Sequence, residues 1–91
     1  MYTQLHASAT IESMGRAGKV LKTVLEKYAI SQGRLAAVMG VGSSNVYRWA
    51  NEIRDPSSET VIAIVEALKT VNSQAAEDFV QLYLGEVLED R

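Results

Sequence analysis

Apolar residues recur along this chain with the spacing of a helix, and no stretch shows the two-residue alternation of a strand. The clearest example is Leu21, Val24, Leu25 and Tyr28, which stand at positions i, i+3, i+4 and i+7. Residues with this spacing share one face of a helix, and here charged residues occupy the other faces. The pattern predicts a helix over residues 18–29, with an earlier start left open by the nearby glycines.

Residues 31–56 predict two short helices joined by a tight turn. Ser31 suits the N-cap of the first, which runs over about residues 32–39. Gly40 ends it, because glycine adopts the left-handed conformation after a helix without a steric penalty. The next helix begins near Ser43 and ends at about residue 51 or 52. The apolar residues by which these two helices would face each other and the rest of the domain are Leu35, Ala36, Met39, Val41, Val46, Trp49, Ala50 and Ile53.

Two further helices complete the predicted order. Pro56 cannot continue a helix, and one of the serines that follow it can cap a fourth helix over residues 59–70. Asn72 or Ser73 caps a fifth, whose apolar residues cover an arc of roughly 240° at about 100° per residue. A globular surface helix needs only about 100°, so we expect something else to cover the excess. These apolar residues are Phe79, Val80, Leu82, Tyr83, Leu84, Val87 and Leu88.

Length and composition bound the class of protein. At 91 residues, 47% of them hydrophobic, the chain predicts one domain with a modest core, whose stability is marginal unless it oligomerises. The absence of cysteine excludes disulfides, and the lone His6 has no second ligand nearby, so we expect no metal ion and no cofactor. The N-terminus lacks the features of a secretion signal, and no apolar run is long enough to span a bilayer. We therefore expect a cytoplasmic protein without a membrane segment.

The net charge of −2 is distributed unevenly. Residues 1–30 carry four basic and two acidic side chains, and residues 31–56 carry three and two. Residues 57–91 carry two basic and seven acidic side chains. Positive potential is therefore expected on the face built by the first three helices, and this is the part of the chain that could approach phosphates.

The residues at several positions between Gln32 and Leu68 make the chain resemble the Cro/cI-type (XRE) helix-turn-helix family of prokaryotic and phage regulators. The resemblance covers roughly residues 17–70 and implies an all-α, five-helix bundle of the lambda-repressor-like DNA-binding type, here with an extended C-terminal helix. The small Ala36 lets the two helices cross closely, and Gly40 makes the turn. The residues that carry the resemblance are Gln32, Leu35, Ala36, Gly40, Val41, Val46, Trp49, Asn51, Pro56, Ser57 and Leu68.

The resemblance also implies a division of the chain and roles for individual residues. Residues 1–15 form an arm, residues 16–71 the helix-turn-helix domain, and residues 72–91 a C-terminal helix. The wide apolar arc of that helix favours it as the dimer interface, and the N-terminal arm is left open as an alternative. The third helix becomes the recognition helix, which enters the major groove of DNA. The positions that read bases are Ser43, Ser44, Tyr47 and Arg48, which periodicity also places on the outer face of this helix. The positions expected to contact phosphates are Gln32, Arg34, Asn45, Asn51 and Arg54.

Arg48 is the strongest candidate for direct readout, because its guanidinium group can bind O6 and N7 of guanine and discriminate by roughly 1–3 kcal/mol. The less favoured alternative is that Arg48 and Arg54 are solvated surface charges, and that Gln32 is a helix-forming residue without a ligand. The chain also departs from the family, which often has Glu, Asn, Gly where this sequence has Ala50, Asn51 and Glu52. The missing glycine would extend the helix, weaken DNA contact, or mark a member that binds something else.

The leading interpretation is a sequence-specific transcriptional regulator that binds double-stranded DNA as a homodimer and reads a near-palindromic site. The alternative is a protein-interaction module or antitoxin-like protein that binds a protein partner through its C-terminal helix. An enzyme is not expected, because no nucleophile, base and orienting acid can be assembled from these residues. The residues expected at a dimer interface are Phe79, Val80, Tyr83, Leu84, Val87 and Leu88.

Overall fold

The computed structural model describes the backbone of residues 15–89 and the side chains of residues 15–85. This part of the chain contains five helices and no strand, which confirms the all-α expectation. The predicted arm lies outside the described residues, apart from Gly15. The helices are α1 (Arg16–Lys27), α2 (Gln32–Met39), α3 (Ser43–Ala50), α4 (Ser58–Val71) and α5 (Ser73–Glu89).

Side-chain caps fix where the helices begin. The Ser31 hydroxyl accepts from the backbone N–H of Arg34 at 3.0 Å, and so caps α2 as predicted. Ser57 caps α4 in the same way. The side-chain oxygen of Asn72 accepts from the backbone N–H of Gln74 at 3.0 Å, at the start of α5. These bonds satisfy N–H groups that have no partner inside a helix.

The first three helices end in one shared motif. A backbone N–H bonds across the last turn from Ile30 to Leu25 at 2.9 Å, from Val41 to Ala36 at 3.0 Å, and from Ile53 to Arg48 at 2.9 Å. This is the Schellman arrangement, which needs a left-handed residue just before the donor. Those residues are Ala29 with φ 54°, Gly40 with φ 76° and Glu52 with φ 61°.

The end of α3 corrects two expectations. The helix stops at Ala50 and does not reach residue 52, because Glu52 adopts the left-handed conformation that glycine usually provides. Ile53, which was expected to be buried beside Trp49, is 65% exposed because the chain has already left the helix at that point.

The core lies where α1, α4 and α5 meet the crossed pair α2 and α3. Trp49, at 7% exposure, belongs to it as predicted. Helix α5 packs against both α1 and α4, and α3 packs against α1 and α2. The largest fully buried side chains are Leu21, Val24, Leu35, Val46, Ile64, Leu68 and Phe79.

Helix α5 corrects the expectation for Phe79. This side chain is fully buried inside its own protomer, so it is not available at a dimer interface. Ala75 and Ala76, one turn earlier in α5, are buried as well. Part of the wide apolar surface of α5 is therefore covered by α1 and α4 of the same protomer. Val80 and Leu84 remain 42% and 50% exposed. The side chains of Val87 and Leu88 lie outside the described ones.

A polar contact ties α5 to the end of α1. The Lys27 ammonium and the Tyr28 hydroxyl both donate to one carboxylate oxygen of Asp78, at 2.7 and 2.5 Å. The hydrogen bond from Lys27, and then that from Tyr28, lowers the pKa of Asp78. The same contact raises the pKa of Lys27 and of Tyr28. Across residues 15–89, no helix is both long and apolar enough to cross a membrane.

Candidate nucleic-acid interface

The outer face of α3 presents the four side chains expected to read bases. Ser43, Ser44, Tyr47 and Arg48 are all exposed, and Tyr47 keeps 52% of its surface in solvent. At about 100° per residue, Val46, Trp49 and Ala50 point the other way, and all three are buried. The packing of α3 on α1 and α2 therefore leaves this four-residue strip open.

A shallow depression of about 270 Å³ lies at the end of α3. It brings together Gln32, at the first position of α2, and Asn51, just after α3, which were expected to contact phosphates. Lys22 on α1 also lines it and was not among the expected contacts. The helical period identifies Lys22 only as a polar position of α1. It does not predict that Lys22 lies close to the start of α2. The lining residues are Lys22, Leu25, Glu26, Ile30, Ser31, Gln32 and Asn51.

The chemistry of this depression suits an anion. The first backbone N–H groups of α2 belong to Gln32 and Gly33 and have no partner inside the helix, and the helix dipole adds partial positive charge there. The Lys22 ammonium contributes a full charge, while the Glu26 carboxylate on the same rim opposes it. The Asn51 amide donates one N–H to the Tyr47 carbonyl at 2.9 Å and keeps a second donor.

The remaining phosphate candidates differ in how they are held. Asn45 is half-buried, and its amide donates to the Gly42 carbonyl at 3.4 Å, so it serves the start of α3. Arg34 and Arg54 are exposed, like Arg48. Within the part of the chain that the structure describes, none of these three guanidinium groups has an ion-pair or hydrogen-bond partner.

The acidic residue next to this surface turns away from it. The Glu52 carboxylate lies against the first turn of α1, where its Oε1 is 2.5 Å from the position that a Cβ on Gly15 would occupy. Its Cγ is 3.2 Å from the corresponding position at Gly18. The negative charge expected near the phosphates is thus held at the N-terminus of α1.

Comparisons with known proteins agree with this geometry. A family model described as helix-turn-helix matches residues 21–73, more than half of the chain. The match begins within α1 and ends at the first residue of α5.

A relative from Methanocaldococcus jannaschii, named "Putative HTH-type transcriptional regulatory protein", is 41% identical over 51 residues. The matched segment is 56% of this chain and 16% of the relative, so the chain spans about one sixth of that protein's length. No solved structure matches the chain significantly.

Proposed function

The chain belongs to the Cro/cI-type (XRE) helix-turn-helix family, and on this premise we propose that it is a sequence-specific transcriptional regulator that binds double-stranded DNA as a homodimer. The observation that carries the proposal is the open strip on α3, four polar side chains on a helix whose other face is buried. The named activity of the archaeal relative supports the same role.

In the proposed complex α3 lies in the major groove. The Arg48 guanidinium group binds the Hoogsteen edge of a guanine, and the exposed Tyr47 and Ser44 contact neighbouring bases or the backbone. A phosphate sits in the depression beside α3, where it receives the free N–H groups of α2, the Lys22 ammonium and the Asn51 amide. The phosphate contact fixes the register of the domain, and Arg48 supplies the discrimination between sequences.

Selection of bound sequences from a random DNA library tests the proposal and supplies an operator for further work. We expect Arg48→Ala to weaken operator binding by roughly 5- to 100-fold and to change binding to random DNA little. Lys22→Ala serves as the matched variant. It should weaken binding to both DNAs equally and reduce the slope of log K against log salt by about 1.

Two outcomes would contradict this function. Equal losses of Arg48→Ala on operator and random DNA would remove its base-reading role. A library that enriches no sequence at low salt would reject the regulator as a whole.

The homodimer is proposed to form through one side of α5. Val80 and Leu84 are one turn apart and about half exposed, and a second copy of the same helix offers them the same apolar pair. Dimerisation would place two recognition helices about 34 Å apart, which is the separation of successive major grooves on one face of DNA.

Sedimentation measures the dimer directly. We expect a chain with both Val80→Glu and Leu84→Glu to sediment as a monomer at concentrations where the natural chain is a dimer. Gln81→Glu is the control, since Gln81 is exposed between them and adds one charge to the same helix. A natural chain that stays monomeric at high concentration would contradict the interface.

One observation favours the alternative function, a module that binds a different protein through α5. At about 100° per residue, Leu82 lies on the opposite flank of the buried stripe from Val80 and Leu84, and it is 44% exposed. A second copy seated on Val80 and Leu84 leaves Leu82 uncovered. If Leu82→Glu abolishes capture of a protein partner while DNA selection fails, the interaction module is the better description.

A further inference from the structure

Glu52 combines two unusual features at the end of the recognition helix. Its backbone is left-handed, with φ 61°, a conformation that is unfavourable for an L-residue other than glycine. Its side chain, although in contact with solvent, lies along the first turn of α1. The hydrogen bond from the Ile53 N–H to the Arg48 carbonyl turns the chain sharply at Glu52. The Glu52 side chain lies next to α1 at this turn.

Two glycines at the start of α1, Gly15 at its N-cap and Gly18 in its first turn, make room for this side chain. A Cβ at Gly15 would meet the Glu52 carboxylate at 2.5 Å, and a Cβ at Gly18 would meet its Cγ at 3.2 Å. At Gly18 the added atom would also overlap the backbone carbonyl oxygen of Trp49. The end of α3 therefore approaches α1 as closely as backbone allows, and Glu52 fills the space next to that approach.

The first turn of α1 has an electrostatic use for the carboxylate. No acidic side chain stands within that turn, and Gly15 at the N-cap has no side chain with which to cap the helix. An anion at a helix N-terminus is stabilised by the dipole and by the N–H groups of the first turn. Among the residues that the structure describes, Glu52 places its carboxylate next to this turn.

We propose that Glu52 is a positioning residue for the recognition helix, whose side chain fastens the end of α3 to the first turn of α1 and keeps its own negative charge away from the DNA. The proposal rests on the DNA-binding function proposed above. It accounts for a left-handed residue with a side chain at the end of α3, and for an acidic residue so close in the chain to the exposed Arg48 and Arg54.

Glu52→Gln tests the contact, because it keeps the size of the side chain and removes only the charge. Glu66→Gln is the matched control, since Glu66 is exposed in the middle of α4 and the change in net charge is the same. We expect Glu52→Gln to lower the Tm by about 2–6 °C at low salt relative to Glu66→Gln. The difference should shrink at high salt, which screens exposed charges.

Two further measurements separate positioning from simple stability. Trp49 is the only tryptophan of the chain, and its carbonyl touches α1 at Gly18. We expect Glu52→Gln to shift its fluorescence emission in the folded state and Glu66→Gln to leave it unchanged. Binding to the selected operator should weaken several-fold in Glu52→Gln, while binding to random DNA matches that of Glu66→Gln.

The opposite results are equally clear. An identical Tm in the two variants would overturn the contact with α1. A gain in affinity for operator and random DNA beyond that of Glu66→Gln would overturn the proposal by showing that the charge faces phosphates. If the natural chain binds no DNA, the proposed function fails, while the Tm and fluorescence of the two variants still decide whether Glu52 fastens α3 to α1.

Discussion

Replacing Gly18 with alanine tests the close approach of α1 and α3, on which the placement of α3 depends. The added methyl group would overlap the Trp49 carbonyl oxygen, a backbone atom that cannot rotate away. Gly33 in α2 offers a matched control, because a Cβ there meets no atom within 4 Å. The same substitution therefore has opposite expected effects in two helices of one protein.

The magnitudes follow from two contributions. Alanine in place of helical glycine stabilises by roughly 0.5–1 kcal/mol, and this gain is all that Gly33→Ala should show. Overpacking costs about 1–3 kcal/mol, and overlap with backbone places Gly18→Ala near the upper value. After the gain in helix propensity is subtracted, we expect a net loss of about 2–2.5 kcal/mol for Gly18→Ala.

Urea unfolding followed by Trp49 fluorescence measures both variants, and thermal unfolding should separate their Tm values by about 12–24 °C. The slope of the free energy with urea should not change, because neither substitution alters the surface buried in the native state appreciably. A Gly18→Ala protein as stable as Gly33→Ala would refute the close approach of α1 and α3, and with it the position assigned to Glu52.

Two other predictions concern the C-terminal end of α1. Ala29 is exposed and left-handed, so Ala29→Gly should stabilise by about 0.5–1 kcal/mol after the larger unfolded-state entropy of glycine is subtracted; an unfolding midpoint at or below that of the natural chain would contradict the Schellman geometry. Asp78→Asn should destabilise near neutral pH, because the folded-state pKa of Asp78 is lowered, and its contribution is present above its unfolded pKa of about 3.9 and lost as pH falls through the folded value. Acid unfolding curves of the natural chain and Asp78→Asn should thus converge at low pH, and a constant difference would exclude the contact with Lys27 and Tyr28.

Local signals predicted much of this fold, because they depend only on neighbouring residues. The cap at Ser31 and the turn at Gly40 follow from hydrogen-bonding capacity and from backbone freedom, and both were confirmed. The outer strip of α3 followed from the helical period. The assignment of those side chains to bases stays a prediction.

Other features depend on which element covers which face, and the helical period does not contain that information. Phe79 and Val80 are adjacent apolar residues of α5, yet one is fully buried and the other 42% exposed. Lys22 lines the depression only because α1 lies close to the start of α2. Glu52 ends α3 in a left-handed conformation that its own preference disfavours, and its side chain lies against α1, a contact that the helical period does not reveal.

The burial of Phe79 limits how far the protein can be shortened. The family match ends at residue 73, and a fragment cut there would lose Ala75, Ala76 and Phe79 from beneath α1 and α4. Such a fragment would expose to water the apolar side chains of α1 and α4 that α5 covers, and we expect it to aggregate or unfold. A fragment that keeps this core has to extend at least through Phe79 and Tyr83, because Tyr83 also packs against it.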